Sequence, residues 1–313
     1  METVLLTGGT GLIGRHLGRK LAETGYNVII LSTRTGESYE FPVYHWDPAN
    51  GKIDREAISA ADYIIHLAGA GLADKRWTVK RKKLLISSRV TGGELLLKAV
   101  NRCDCKVKAF ISISGTNYYG SLTSDRIFLE TDPPADDFLG EVCRLWEQNA
   151  DRFESAGIRS VKLRAGVVLA SRGGALGRMI MPVKYGAGAP IGSGDQYLSW
   201  IHIDDLCGIF MKAIGDTAMR GTYNAVAPAQ VTNREFMLTL ANVMKRPAIL
   251  PAIPARLMKL LYGEMSVVLL TGSRISSDKI RASGYKFRYP ELKTALEDLL
   301  KISSGNPRFR TVP

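Results

Sequence analysis

Little in this 313-residue sequence calls for a special environment. It has only four cysteines, Cys103, Cys105, Cys143 and Cys207, with no CxxC pair and no spacing with histidine that would hold a metal. Four thiols in a chain this size, with no secretory segment ahead of them, read as reduced cytosolic cysteines, so a cytoplasmic protein is expected. Met1 runs almost directly into the apolar run Val4–Leu6 and then into glycines, which leaves no room for the basic, apolar and cleavage-site parts of a signal peptide. The longest apolar stretches, such as Val267–Leu270, are far too short to span a bilayer, so no membrane partner is expected. Internal repeats, low-complexity tracts, zinc-finger spacings and RNP signatures are absent too. Acidic residues are in the minority: 42 Lys and Arg against 30 Asp and Glu leave a formal charge of +12. That charge suits an anionic ligand of nucleotide shape, but the basic residues are scattered and no nucleic acid is expected. The densest cluster, Lys75–Arg76 with Lys80–Lys83, stands at a helix start and reads as a solvated helical face.

What is present is the alternation of a layered fold. Thr3–Leu6, Asn27–Leu31, Tyr63–Leu67, Val107–Ile113 and Ser160–Leu163 are short β-branched runs that read as buried parallel strands. Helical patterns lie between them at Leu12–Glu23, around Lys80–Val100 and at Phe138–Ser155. Parallel neighbours need crossover connections, so the expected class is α/β, a doubly wound parallel Rossmann sheet. Past Arg164 glycine and proline crowd residues 173–194. A strand-like run follows at Gly221–Val226, with helical patterns at Asn233–Met244, Pro254–Leu261 and Leu292–Ile302. This predicts a nucleotide-binding domain over 1–165, with a sheet contribution from about 200–226, and a smaller substrate lobe over 166–313. The polar tail Ser303–Pro313 is expected to be loosely held.

The segment Thr7-Gly8-Gly9-Thr10-Gly11-Leu12-Ile13-Gly14 follows a predicted strand and opens a predicted helix. Gly8, Gly11 and Gly14 serve in turn for the tight turn, close backbone approach to a pyrophosphate, and helix–strand packing. Free N–H groups and the positive dipole end at the helix start then face the phosphates. A carboxylate at the end of the second strand would select NAD(H), but that strand ends Leu31-Ser32-Thr33-Arg34, with no acid until Glu37. Arg34 offers a forked, charge-assisted contact to a 2′-phosphate and Thr33 adds a hydroxyl, so NADP(H) is preferred over NAD(H). The competing reading of Arg34 is an ordinary surface arginine. The third strand ends His66-Leu67-Ala68-Gly69, a small-residue turn with room for the cofactor beside it. His66 reads as a cofactor contact or a packed histidine rather than a general base.

Together, the turn Thr7–Gly14, the Leu67–Gly69 turn and Trp200-Ile201-His202-Ile203-Asp204-Asp205 resemble the extended short-chain dehydrogenase/reductases. Ala73-Asp74-Lys75-Arg76-Trp77, Ser88-Arg89, Tyr118-Tyr119-Gly120 and Pro190-Ile191-Gly192-Ser193-Gly194 narrow the resemblance to one atypical, NAD-dependent epimerase/dehydratase-like branch. Its members end in a domain of unknown function, which Ala248–Leu300 is similar to. The resemblance implies the extended fold and an NADP(H) site. It also implies that Arg89 reaches the cofactor and that Val167 lines the nicotinamide end.

The usual chemistry of that superfamily needs a Tyr made acidic by a Lys one helical turn later, with a Ser or Thr after the fourth strand holding the same oxygen. Here Phe138 is expected where the tyrosine would stand and Val142 where the lysine would, and neither moves a proton. Tyr289–Lys293 has the spacing but lies near the C-terminus, outside the nucleotide lobe. After the fourth strand, Ser114 or Thr116 is a candidate to hold a substrate oxygen and Tyr118 to supply a proton. Equally, these hydroxyls cap the strand end while the tyrosines pack. Pro190–Gln196, followed by Ser199-Trp200, suits a substrate bearing phosphate or sugar hydroxyls, and equally a structural loop. Asp204 and Asp205 are expected to cap the helical run Leu206–Ile214. Two functions follow. One is an NADP(H)-dependent oxidoreductase or sugar-nucleotide epimerase-like enzyme acting on a small molecule, its site near Ser114, Thr116 and Tyr118 and closed by residues 186–200. The other is a non-catalytic NADP(H)-binding redox sensor. The sequence leaves the oligomeric state open.

Overall fold

Aliphatic and β-branched runs form the strands of a computed structural model that describes residues 1–34, 39–248 and 250–304, the last three by backbone alone. The strands are β1 (Thr3–Thr7), β2 (Asn27–Ser32), β3 (Val43–Asp47), β4 (Lys52–Ile53), β5 (Tyr63–His66), β6 (Ala109–Gly115), β7 (Thr123–Phe128), β8 (Arg159–Ala165), β9 (Val167–Leu169), β10 (Trp200–His202), β11 (Gly221–Ala225) and β12 (Gly272–Ile275). The helices are α1 (Leu12–Glu23), α2 (Arg55–Ser59), α3 (Val79–Asn101), α4 (Phe138–Ser155), α5 (Gly174–Lys184), α6 (Ile203–Gly215), α7 (Asn233–Val243), α8 (Ala255–Tyr262), α9 (Val267–Leu270), α10 (Asp278–Ala282) and α11 (Leu292–Ser304). Glu37 and the end of the tail, 305–313, lie outside the described residues.

Eight strands form one sheet in the order β11-β8-β6-β5-β1-β2-β3-β4, parallel except for the final β3–β4 pair. Alternate residues of β1 enter opposite layers, as the period of two in a strand requires. Val4 and Leu6 join the larger core with α1, α6, α7 and α11, whereas Leu5 joins the smaller one with Ile58, Leu96 and Phe153. The architecture is therefore the doubly wound Rossmann type, with a smaller C-terminal region. After β3 and β4 the chain crosses back past β1 to lay down β5, so the strand order reverses between β1 and β5, where such sheets take their ligands.

Within the 200–226 stretch, Gly221–Ala225 extends this sheet beside β8, whereas Trp200–His202 pairs only with β9. A third, two-stranded sheet joins β7 to β12, tying the C-terminal region to a segment far upstream. No described helix is long and apolar enough to cross a membrane.

Candidate functional site

Backbone geometry decides the glycine turn. Gly8 has φ +69°, and a Cβ there would stand 2.9 Å from the Ala68 nitrogen, so β1 and the Leu67–Gly69 turn meet backbone to backbone. A Cβ at Gly14 would overlap the Gly8 carbonyl oxygen and come within 2.5 Å of Gly9 Cα. Gly11 is the N-cap of α1 and offers no side-chain cap, which leaves the first-turn N–H groups beside Leu12 and Ile13 without a side-chain acceptor. Thr10 turns its carbonyl oxygen to the Arg15 Nε–H, 2.7 Å away. At the end of β2, Thr33 and Arg34 are exposed, and the Arg34 guanidinium has no partner among the described residues.

His66 lies beneath the crevice rather than on it. Its ring is fully buried between Trp46 and Phe110, with Nδ1 2.7 Å from Thr7 Oγ1, and burial pushes it down to about 4. The ring is therefore neutral at physiological pH and offers no surface to a ligand, so of the two roles expected for it, cofactor contact or packed histidine, its burial favours the packed one. Leu67, Ala68 and Gly69 stay partly or fully open above it.

Arg89 comes up from α3 beneath Gly69, where a Cβ would stand 3.3 Å from its Cγ. Its guanidinium is buried over the Trp146 ring, at 4.7 Å, and Nη1 donates to the Leu85 carbonyl oxygen at 2.9 Å. Nε–H is buried without a partner. Burial pushes this group down to about 10, which leaves it a cation at neutral pH with hydrogen bonding still to make.

Arg89 forms part of the wall of a cavity of about 280 Å³ at the carboxyl ends of β6 and β8. Ser114, Thr116, Asn117 and Tyr119 line one side, and Val167 and Val168 another. Leu139, Val142, Cys143 and Trp146 face it from α4. The spacing of these four (i, i+3, i+4, i+7) is one face of a helix. Phe138 is not among them: it packs against Trp77 with Lys82 Nζ over its ring. On this face the pairs four apart are Leu139 with Cys143 and Val142 with Trp146, so of the two positions expected for the Tyr/Lys pair Val142 faces the cavity and Phe138 does not. Leu139 has nothing to titrate, and burial pushes the Cys143 thiol up to about 12.

Ser114 is tied into a buried polar network. Its hydroxyl donates to Glu147 Oε1 at 2.7 Å, and the same carboxylate takes two hydrogen bonds from Arg164, both at 2.8 Å. Arg164 also donates to the Tyr119 hydroxyl at 2.9 Å, which donates in turn to Asn224 Oδ1 at 2.7 Å. Burial works to lower Arg164, but the Glu147 carboxylate outweighs it and holds the guanidinium charged. Tyr118 points elsewhere: its ring lies 3.3 Å from Arg164 Cζ, it is not on the cavity wall, and burial raises its phenol above the ordinary value. Of the two readings of Tyr118, proton donor or packing ring, this placement favours the packing ring. Two tyrosines stand on the wall, both with engaged hydroxyls: Tyr119, pushed up to about 12 by burial, and Tyr197, which donates to Asp125 Oδ1 at 2.9 Å. Thr116 keeps a hydroxyl with no partner among the described residues. Asn117, not singled out in the sequence, adds an amide to the wall.

The remaining wall comes from further along the chain. Of the 186–200 segment, Tyr197, Leu198 and Ser199 reach the cavity. Gly192 and Ser193 line a neighbouring cleft of about 620 Å³ instead. Trp200 is core, with Nε1–H donating to the Ala229 carbonyl oxygen. Val268, Thr271, Gly272, Ser273 and Ile275 close the far side, and Thr271 borders both spaces. Asp204 and Asp205 neither cap α6 nor face the cavity. The N-cap is His202, whose Nδ1 accepts the Asp204 N–H at 3.0 Å. Asp204 pairs with His16 and Lys20 of α1, while buried Asp205 accepts the N–H groups of Arg288 and Tyr289. Tyr289 stacks on His202, away from any acid–base role. No group of three or more His, Cys, Asp or Glu among the described residues is arranged to hold a metal.

A parallel sheet with a glycine turn at its switch point, and a cavity beyond its carboxyl ends, defines a Rossmann-type fold of the extended short-chain dehydrogenase/reductase build. The chain belongs to the NAD dependent epimerase/dehydratase family, whose pattern matches residues 4–225, and residues 253–299 match a domain of unknown function, DUF1731. Human epimerase family protein SDR39U1 is 34% identical over 302 residues, 95% of this chain and 99% of that protein. Epimerase family protein YfhF of Bacillus subtilis is 35% identical, covering 95% and 97%. The crystal structure of human SDR39U1 with NADPH superposes with a TM-score of 0.85 over 96% of this chain and 99% of that one. UDP-glucose 4-epimerase of Thermus thermophilus with NAD, at 22% identity and a TM-score of 0.74 over 95% and 97%, shares the fold.

Proposed function

We propose that the chain is a cytoplasmic NADP(H)-dependent oxidoreductase or sugar-nucleotide epimerase-like enzyme whose site works without a Tyr/Lys pair. One observation carries this reading: the cavity at the carboxyl ends of β6 and β8 gathers Ser114, Thr116, Asn117 and Arg89, polar groups with hydrogen-bonding capacity to spare. The cradle fits a dinucleotide, because the close backbone packing at Gly8 and Gly14 fixes a tight turn whose N-cap, Gly11, leaves the first N–H groups of α1 uncapped by any side chain and available to a pyrophosphate. Gly8, Thr10, Gly11, Leu12, Ile13 and Gly14 would hold the pyrophosphate, Thr33 and Arg34 the 2′-phosphate, and Leu67, Ala68 and Gly69 the adenosine side. Arg89 and Val167 would meet the nicotinamide half, and the NADPH in the structure of human SDR39U1 supports the choice of NADP(H) as cofactor. When bound, the nicotinamide supplies a hydride donor or acceptor.

Ser114 has committed its own proton to Glu147, so its oxygen is left to accept a hydrogen bond from a substrate hydroxyl. Thr116 is free to donate or accept. A cavity of about 280 Å³ suits a sugar-sized group, and the adjoining cleft of about 620 Å³ would take the rest of a nucleotide sugar.

The second reading, a non-catalytic NADP(H) sensor, draws on Leu139 and Cys143, which supply no acid–base pair. A single-turnover experiment separates the two. Stoichiometric protein is loaded with NADPH or NADP⁺, fractionated metabolite extract is added and nicotinamide absorbance is followed. The enzyme reading expects an absorbance change that Ser114→Ala abolishes while cofactor binding is kept. Tight binding with no change in either redox state favours the sensor.

A further inference from the structure

The basic cluster that stands out in the sequence has no place in the cavity. The structure sets it beside an apolar stripe. Helix α8 is anchored by buried Met258, yet Leu257, Leu260 and Leu261, spaced i, i+3, i+4 on one face, are 44%, 73% and 54% exposed, and Tyr262 follows at 38%. The turn after α8 reaches the start of α3 through an ion pair between Glu264 and Lys82. It also touches the preceding loop, where a Cβ at Gly263 would stand 3.2 Å from Arg76 Nη2. Val79, the first residue of α3, is itself 74% exposed. Six cations surround this surface, Lys75, Arg76, Lys80, Lys83, Arg256 and Lys259, and none forms an ion pair among the described residues. The nearby acids are already engaged, Glu264 by Lys82 and Asp74 by Arg81 and Arg178.

We propose that this face docks the protein peripherally on an anionic lipid surface, with the leucine stripe of α8 entering the headgroup boundary and the lysines and arginines meeting the lipid charge. An amphipathic helix with leucines on one face and cations flanking them has the makings of an interfacial contact, and apolar burial and charge attraction add there. Charge complementarity favours this occupant. A symmetric contact with a second copy would set the same unpaired cations against one another. Nucleic acid would engage the cations and leave the leucines in water. The inference is independent of any catalytic activity: none of these side chains lies on the wall of the 280 Å³ cavity, and of the six cations Lys259 alone lines the adjoining cleft.

The test is flotation of the full chain with vesicles of phosphatidylcholine alone and of an equimolar mixture with phosphatidylglycerol. Binding is expected to the mixed vesicles only, and to fall as salt is raised. A cation at such a surface is worth roughly fivefold in partition, so Lys80→Gln with Lys83→Gln should weaken binding roughly twenty- to thirtyfold. Leu260→Ser with Leu261→Ser should weaken it as well, while both variants keep wild-type circular dichroism and NADPH binding. Absence of flotation with the mixed vesicles, equal flotation with both kinds, or variants that float like the wild type would each overturn the proposal. So would self-association of the wild-type chain that the leucine variant abolishes, which would assign the face to a second copy.

Discussion

Single residues set the sharpest demands of this molecule. At Gly14 even one methyl group would strike the Gly8 carbonyl, where two backbone segments leave no room to relax. Gly14→Ala is expected to cost about 1–3 kcal/mol of stability and to abolish cofactor binding, read by thermal melting and NADPH fluorescence titration. At Arg34 the expected loss is selective. Removing a charge-assisted contact worth ~1.5–3 kcal/mol should weaken NADPH roughly ten- to hundredfold in Arg34→Ala and leave NADH unchanged. Equal affinity for both cofactors in wild type and variant would refute the preference. At Glu147 the issue is a buried charge. Glu147→Gln leaves Arg164 unpaired in the interior, and breaking such a pair is expected to cost about 3–5 kcal/mol, measured by denaturant unfolding.

Elements show which features are written locally and which arise from packing. The boundaries of α1 and α4 follow from their own periodicity and caps, Asp137 accepting the Gly140 N–H at the start of α4. The cavity face of α4 does not. Phe138 and Leu139 are equally apolar, and only the approach of α3 and the loop before it, which bring Lys82 and Trp77 onto Phe138, decides which of them turns inward. The same holds for Ser114: its partner Glu147 is 33 residues away on another element, and no spacing announces it. Strands β3, β7 and β12 escaped notice because each is short, mixed in polarity and half exposed, so neither a continuous apolar run nor a clean alternation marks it. Asp204 reads as a cap from sequence because it precedes apolar residues, whereas it joins α6 to α1. Its carboxyl is held well below the usual carboxylate range by the hydrogen bond with His16, and Lys20 adds to this against the opposing effect of burial. A carboxyl lowered by folding adds stability above its unfolded value of 3.8 and loses it as pH falls through the folded value. Asp204→Asn should therefore lower the melting temperature by a few degrees at neutral pH. The gap to the wild type should close as pH drops below about 4, followed by melting across that range.

At the scale of the whole molecule, the nucleotide half was legible because parallel strands and crossover helices repeat a strong pattern. The C-terminal region was legible mainly as a likeness, since its contribution is made through contacts with distant segments. Residues 268–275 wall the cavity, and β12 lies along β7. A chain ending at residue 252 is expected to lose more than its C-terminal helices. Residues 123–128 would lose their hydrogen-bonded partner, and amide exchange should rise there and around Ser114. Unchanged exchange over both segments would show that the nucleotide half stands alone.

The Ser273 hydroxyl donates to the Leu122 carbonyl oxygen across 151 residues of chain, and β12, which holds Ser273, runs beside β7, which starts just after Leu122. A gene that recombined anywhere between them would inherit one half of a sheet without the other. The C-terminal region is thus no detachable cassette to be shuffled among unrelated proteins. Its ancestry is bound to that of residues 123–128, and substitutions in one strand set the terms on which the other can drift.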